Sequence, residues 1–443
     1  MKKLFALLLS ALMLVSLVAC TGTTTATTDT TDTAGTATAT ETTATTETAT
    51  AQEPAASAEP EGFTPALDTS MEATLYFAGS YGNFEALDQV ALNFKEYYPN
   101  VEVVYEKLDD YRNDLANRFA TGEKVDIFMN AWWDVEYPAN QNIIDNAEDL
   151  YGAGIDFSNL DAEILATGEA DGKLLMAPVY LMCWGGMVNL DILEANGLSV
   201  PTSYAELVAC CEALQAAGYE HPIYVQSGLY GRSLNGYYME RRMAGSDATA
   251  ALDETIAMAD GLVEAGYVTT EGDDLADTYE AQILRFFEGD VPFMAISTNN
   301  YSGTKKREAK SEAFTASPFS YAFIPMAYGE DNTAFINQCG NVYLGVYKDS
   351  PNLELANEFL RFLLTDEQLT VMGTIKNMPT ASTATGLADF PYLAAADLVT
   401  ASADGISTVD EERALNVLAK YHYGDDHGNM YELLTDYIEN GIR

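Results

Sequence analysis

From Met71 onward, short apolar runs alternate with stretches of helical spacing. Residues 74–78 form an apolar run of strand length, followed by Gly79-Ser80-Tyr81-Gly82. Phe84, Leu87, Val90, Phe94 and Tyr98 then recur every three or four positions. That period predicts an amphipathic helix, capped by Asn83 and stopped by Pro99-Asn100. A second strand is predicted over 101–105, a helix through Tyr111, Leu115 and Phe119 that ends at Gly122, and a third strand over 125–129. Strand, helix, strand, helix, strand is the signature of a parallel α/β sheet. Downstream, Ser203-x-x-Glu206 and Thr365-x-x-Gln368 read as capping boxes that open helices, and Gly218 closes the first of these. Residues 222–225 form a strand, and Ser350-Pro351 caps a helix carrying Leu353, Ala356, Leu360 and Leu363.

The chain before this body is different. Lys2 and Lys3 precede an apolar run over 4–18, too short for a comfortable membrane span and ending in small residues, as a secretory signal does. Residues 21–62 are dominated by Thr, Ala and Glu and carry almost no large apolar side chains. Such a segment buries too little surface to offset its ordering entropy and reads as an extended tether. An adhesive stalk would have the same physics.

Composition then narrows the function. The 443 residues hold 22 Lys and Arg against 67 Asp and Glu, a formal charge of −45. A nucleic-acid partner needs a cationic face, so that class is excluded. An anionic membrane surface repels this chain as well, so attachment needs a device other than charge. The cysteines are Cys20, Cys183, Cys210, Cys211 and Cys339, without a C-x-x-C pair. No disulfide framework and no metal site is expected from them. The His422 to His427 segment is a local His/Asp cluster, read as an exposed polar turn rather than a metal site. G-x-S-x-G, H-E-x-x-H, P-loop and dinucleotide motifs are absent, so neither an enzyme nor a cofactor is expected.

Two resemblances sharpen this reading. Leu17-Val18-Ala19-Cys20 is similar to the lipobox of bacterial lipoproteins, which implies a signal peptide over 1–19 and a lipid on Cys20. The body, from residues 75–105 onward, resembles the family 1 extracellular solute-binding proteins of the maltose-binding type. The likeness runs through Asp171-Gly172-Lys173 with Pro178, Gly186-Met187-Val188-Asn189, and Gly197-Leu198 with Pro201. It continues through Gly289-Asp290-Val291-Pro292-Phe293-Met294 and the helix pair from Ser350 through Glu367. Tyr204 stands where the family more often has tryptophan. The resemblance implies a two-lobed, hinged α/β receptor of the type II periplasmic-binding-protein class, closing on a solute between its lobes. It further implies a monomer on the outer face of a Gram-positive-type cell membrane, delivering to an ABC permease. By the same analogy, 20–69 is the lipidated tether, 70–181 plus 322–365 is lobe one, and 184–320 plus 366–443 is lobe two. The chain would cross between lobes near Tyr180 to Trp184, near Tyr321 to Pro325 and near Thr365.

A sugar presents hydroxyls at its edges and C–H groups on its faces, so its site wants aromatic rings beside amide, carboxylate and guanidinium groups. In open sheets such groups converge on loops at the carboxyl ends of parallel strands. Tyr81 follows the first strand, and Asn130, Trp132, Trp133 and Asp134 follow the third. Trp184 lies in the first crossing, as a cleft platform or as hinge packing. Tyr230 and Arg232 follow the strand at Val225, with Arg232 free to meet ring hydroxyls or a surface carboxylate. Asn300 and Asn341 complete the candidate ligand-binding set. The leading expectation is a carbohydrate receptor; a polyamine receptor is the main rival, and a surface adhesin lies outside that class.

Overall fold

The computed structural model describes residues 62–82, 84–130, 140–225, 230–269, 278–337, 342–400, 406 and 408–440. The signal segment, Cys20 and nearly all of the tether lie outside the described residues, as does the expected cap Asn83. Eleven strands carry the two main sheets: β1 (Ala73–Gly79), β2 (Val101–Lys107), β3 (Ile127–Asn130), β4 (Ala177–Pro178), β5 (Met182–Asn189), β6 (Ile223–Tyr224), β7 (Phe293–Ser297), β8 (Tyr321–Ile324), β9 (Thr333–Asn337), β10 (Tyr343–Val346) and β11 (Asp397–Val399).

The first sheet has the order β2-β1-β3-β10-β4. Its opening half is the parallel β1, β2 and β3 that the periodicity predicts, with Phe77 opposite both Tyr105 and Ile127. The closing half is antiparallel, since β10 runs against β3 and β4. The second sheet has the order β11-β9-β5-β7-β6, with β8 also paired to β5. Here β5 is buried along its whole length and antiparallel to β7, β8 and β9. Its Gly185 is required by this crowding: a Cβ there would lie 2.3 Å from the carbonyl oxygen of Ile324.

Side-chain alternation on the strands sends alternate residues to different cores, and the helices Glu85–Phe94, Leu353–Leu363 and Asp366–Lys376 enter the largest of them. Leu75, Phe77, Ile127 and Met129 of the first sheet join Met187, Met294, Ile296, Phe323 and Ile336 of the second in one continuous core. The intervening positions face away. Ala78 and Phe128 pack with Leu115 and Phe119 beneath the helix Tyr111–Thr121. Val188, Phe293, Ile324 and Phe335 pack with the helices Tyr204–Ala216 and Ala248–Glu264 and the C-terminal pair Thr408–Leu418 and Gly428–Asn440.

The N-cap half of each capping box forms: Ser203 Oγ accepts from the Glu206 amide and Thr365 Oγ1 from that of Gln368, each at 3.4 Å. The Glu206 side chain instead accepts from the Thr202 amide at 2.8 Å, and that of Gln368 from Asn93 at 2.8 Å. Gly122 adopts φ 69° and ends the helix Tyr111–Thr121. Ser350 does not cap the helix Leu353–Leu363, whose N-cap residue is Asn352. Instead Ser350 Oγ donates to buried Asp126 at 2.6 Å, and the other Asp126 oxygen accepts from the Tyr76 amide at 2.7 Å. A second buried carboxylate, Glu358, accepts from the Tyr98 hydroxyl at 2.6 Å and the Ala66 amide at 2.8 Å, and pairs with Arg361 at 2.8 Å. Arg361 also covers the Phe63 ring at 4.2 Å and donates to the Thr64 carbonyl at 2.8 Å. The folded body therefore begins by Phe63, inside the segment 20–69 expected to be tether, because Phe63 packs on Tyr97 and Phe362.

Pairing also redraws the crossings. The chain leaves the first sheet after Pro178 and joins the second at Met182. Residues 321–325 are not a crossing: β8 pairs with residues 186–189 and β9 with 182–183, so the return to the first sheet falls between Asn337 and Tyr343. Thr365 is not a crossing either. The helix Asp366–Lys376 packs on Glu85–Phe94, with Asn93 donating to Gln368 at 2.8 Å. Thr380 bridges Tyr180 and Ser382 bridges Leu160 before β11 enters the second sheet beside β9. These short apolar runs find their partners through long-range packing, which a local pattern does not encode.

Candidate functional site

The three crossings run close together. The Val179 amide donates to Val342 at 2.9 Å and the Leu181 amide to Pro379 at 2.9 Å. At the same place the end of β7 is tied in, because the Thr298 hydroxyl donates to the Leu181 carbonyl at 3.1 Å and accepts from the Cys183 amide at 3.2 Å. This fixes the short helix Thr298–Tyr301, and with it Asn299 and Asn300, beside the junction. Ser297 hydrogen-bonds the Asn300 side-chain oxygen and accepts from the Asn300 amide at 3.2 Å.

Two cavities adjoin at Asn299 and Asn300. The inner one, about 370 Å³, is lined by Met182, Trp184, Ser297, Arg232, Glu412, Leu415 and, from the first sheet's side, Arg112. Trp184 is 8% exposed and packs with Met182 and Leu415; its indole N–H has no hydrogen-bond partner among the described residues. The outer cavity, about 340 Å³, has one wall of Tyr81, Phe84, Glu85, Ile375 and Lys376 and another of Ile283, Gly303, Lys306 and Arg307. Tyr81 is held by Tyr105, whose hydroxyl accepts from the Tyr81 amide at 3.0 Å and donates to its carbonyl at 2.9 Å. Gly79 makes this possible, since a Cβ there would sit 2.4 Å from the Tyr105 oxygen. Burial pushes the Tyr81 phenol up to about 12, so it is a neutral donor at physiological pH. The walls meet through the Lys306–Glu85 ion pair at 3.0 Å.

Of the residues singled out from sequence, the structure gathers Trp184, Arg232, Asn300 and Tyr81 around these cavities. Tyr230 is placed elsewhere: its ring is buried in the second lobe's outer core, edge-on to Tyr421 at 5.5 Å. Asn130 is buried at the end of β3, donating to Asn140 at 3.2 Å, and lines neither cavity. Trp132, Trp133, Asp134 and Asn341 lie outside the described residues. Sequence reasoning missed Arg112, Lys306, Arg307, Lys376 and Glu412; the scarcity of basic residues could have marked the four cations, while Glu412 is one of many carboxylates. The tail cluster is structural: His427 stacks on Tyr421 at 5.3 Å and shares Asp260 with it. Cys183, Cys210 and Cys211 are buried and unpaired, and burial pushes their thiols upward. No His, Cys, Asp and Glu grouping among the described residues is arranged to hold a metal ion.

The fold is shared with known proteins. A family profile described as bacterial extracellular solute-binding protein matches residues 78–370. The chain belongs to that family. Its receptors are two-lobed proteins of the type II periplasmic-binding fold. Among solved structures, RafE from Streptococcus pneumoniae in its apo form aligns with a TM-score of 0.62 at 16% identity, over 84% of this chain and 98% of that one. The GacH receptor of Streptomyces glaucescens, solved unliganded and with acarbose, aligns at 0.58 and 18% identity, over 83% and 100%. Maltose-bound MalE3 of T. maritima aligns at 0.58 and 21% identity, over 82% and 99%. A search of the curated proteins found no match. No helix among the described residues is long and apolar enough to cross a membrane.

Proposed function

We propose that this receptor binds a carbohydrate, a sugar or oligosaccharide, and delivers it to an ABC import permease, its lobes closing about the three crossings. The observation that carries the reading is the inner cavity, where the Trp184 ring stands beside the amides of Asn299 and Asn300 and the guanidinium of Arg232. An aromatic face takes up sugar C–H surface while amides and guanidinium meet hydroxyls. A polyamine is the poorer fit, because Arg112 and Arg232 face a cavity whose wall contributes one carboxylate, Glu412. The raffinose-, acarbose- and maltose-bound relatives are consistent with a sugar solute here.

The receptor is further proposed to be a monomer held at the outer face of the cell membrane by lipid on Cys20, with residues 21–62 as tether. Replacing Cys20 with Ala should abolish partitioning into detergent; unchanged partitioning would overturn the anchor. For the solute, the full chain is screened by thermal shift against neutral sugars, spermidine and short peptides. A true ligand at 100 times its dissociation constant adds about 2.7 kcal/mol of stability. Stabilisation by spermidine alone would overturn the carbohydrate reading.

A further inference from the structure

With 22 basic residues among 67 acidic ones, a cation placed without purpose meets a carboxylate. Many do: Arg118 pairs with Glu106 at 2.8 Å, Arg361 with Glu358 at 2.8 Å and Arg413 with Asp410 at 3.0 Å. The outer cavity departs from this. Its wall carries Lys306, Arg307 and Lys376 against the single carboxylate Glu85, and Glu85 is taken by Lys306 at 3.0 Å. Arg307 donates to the Gly303 carbonyl at 2.9 Å, lies 4.0 Å from Glu280, and leaves its buried Nε without a partner. Lys376 has no ion pair among the described residues; its ammonium lies 4.8 Å from the centre of the Tyr81 ring. As the last residue of the helix Asp366–Lys376 it is favoured by the helix dipole, which explains a cation at that position but not its folding into the cavity. Burial, and to a lesser degree Lys306, hold its pKa below the usual lysine range, so the fold leaves this charge undercompensated.

We propose that the outer cavity is a subsite for a carboxylate on the solute, which makes the ligand an acidic oligosaccharide containing a uronic acid unit. Lys376 and Arg307 are its charged contacts, and Asn299 and Asn300 join it to the inner cavity, where a neutral ring meets Trp184. Once Lys306 pairs with Glu85, two cations of the wall, Arg307 and Lys376, remain to meet an anionic group. A guanidinium beside an ammonium suits a planar carboxylate, whose two oxygens accept from both. The net negative charge of the protein does not prevent capture, because at physiological ionic strength distant charges are screened beyond about 8 Å.

This inference rests on the carbohydrate reading and is tested apart from it. The full chain is titrated calorimetrically with uronide trisaccharides of several linkages, with maltotriose and raffinose, and with glucose 6-phosphate. A uronide is expected to bind at least about tenfold tighter than any neutral sugar, and to lose affinity as salt is raised. Lys376→Gln should erase about tenfold of that preference and Lys376→Arg should keep most of it. Arg307→Gln is the second variant, read the same way if Lys376→Gln fails to fold. Neutral sugars that bind as tightly as every uronide would overturn the carboxylate subsite and leave the carbohydrate receptor standing. Glucose 6-phosphate outranking the uronides would overturn the carboxylate in favour of a phosphate. Binding of none of these compounds would overturn both readings.

Discussion

Glu358 and Lys376 lie on consecutive helices of the first lobe, and the fold treats them in opposite ways. Glu358 is 4% exposed, and Tyr98, the Ala66 amide and Arg361 all direct hydrogen bonds at it. Lys376 is half-buried and faces an aromatic ring instead of a carboxylate. A buried charge with every valence answered belongs to the architecture. A charge that the architecture desolvates and leaves unanswered is available to something that arrives from outside, and in a solute receptor that means the solute.

The contrast is open to breakage at several points. Removing the answered charge should cost most: Glu358→Ala strands Arg361 and the Tyr98 hydroxyl, and urea unfolding should show a loss of about 3 kcal/mol. A loss below about 1 kcal/mol would make the cluster ornamental. Next is Trp184→Ala, which removes the ring of the inner cavity and should weaken binding of the best sugar by about 2 kcal/mol in calorimetry. If melting temperature falls while affinity holds, Trp184 is hinge packing. Thr365→Ala removes the cap of the helix carrying Lys376 and should cost about 1 kcal/mol, with Thr365→Ser restoring it. Smallest is Lys376→Met, measured by denaturation without ligand. Burial and Lys306 lower the folded pKa below its unfolded value, so the charged form carries a penalty below that lowered pKa. The penalty fades as pH rises from the lowered value towards 10.5. At pH 7 the variant should therefore match or slightly exceed wild type, by less than about 0.5 kcal/mol. A clear loss of stability would place Lys376 with Glu358 as part of the architecture.

The parts of the fold whose information is local are legible in sequence. The apolar runs at 74–78, 101–105 and 125–129 become β1, β2 and β3, and Ser203 and Thr365 cap their helices through neighbours three residues on. What escaped is non-local. Tyr321 to Ile324 is an apolar run whose partner, residues 186–189, lies far back in the chain, and nothing within the run says which sheet it joins. The site divides in the same way. Tyr81, Trp184 and Asn300 stand at strand ends or crossings, where aromatic and amide groups are conspicuous. Arg112 and Lys376 sit on helices that carry other charged residues as well, and only the fold shows which of them line a cavity. Tyr230 shows the reverse error, a conspicuous aromatic that closes a core.

The fastening of Phe63, Thr64 and Ala66 to the helix Leu353–Leu363 has a mechanical consequence. Any load reaching the body along the preceding chain is borne by the lobe that holds Phe63, at a joint made of two aromatic contacts, one cation over the Phe63 ring and two backbone hydrogen bonds. Under the proposed anchoring, the lobe that carries Phe63 is the fixed half of the receptor and the other lobe the one that moves.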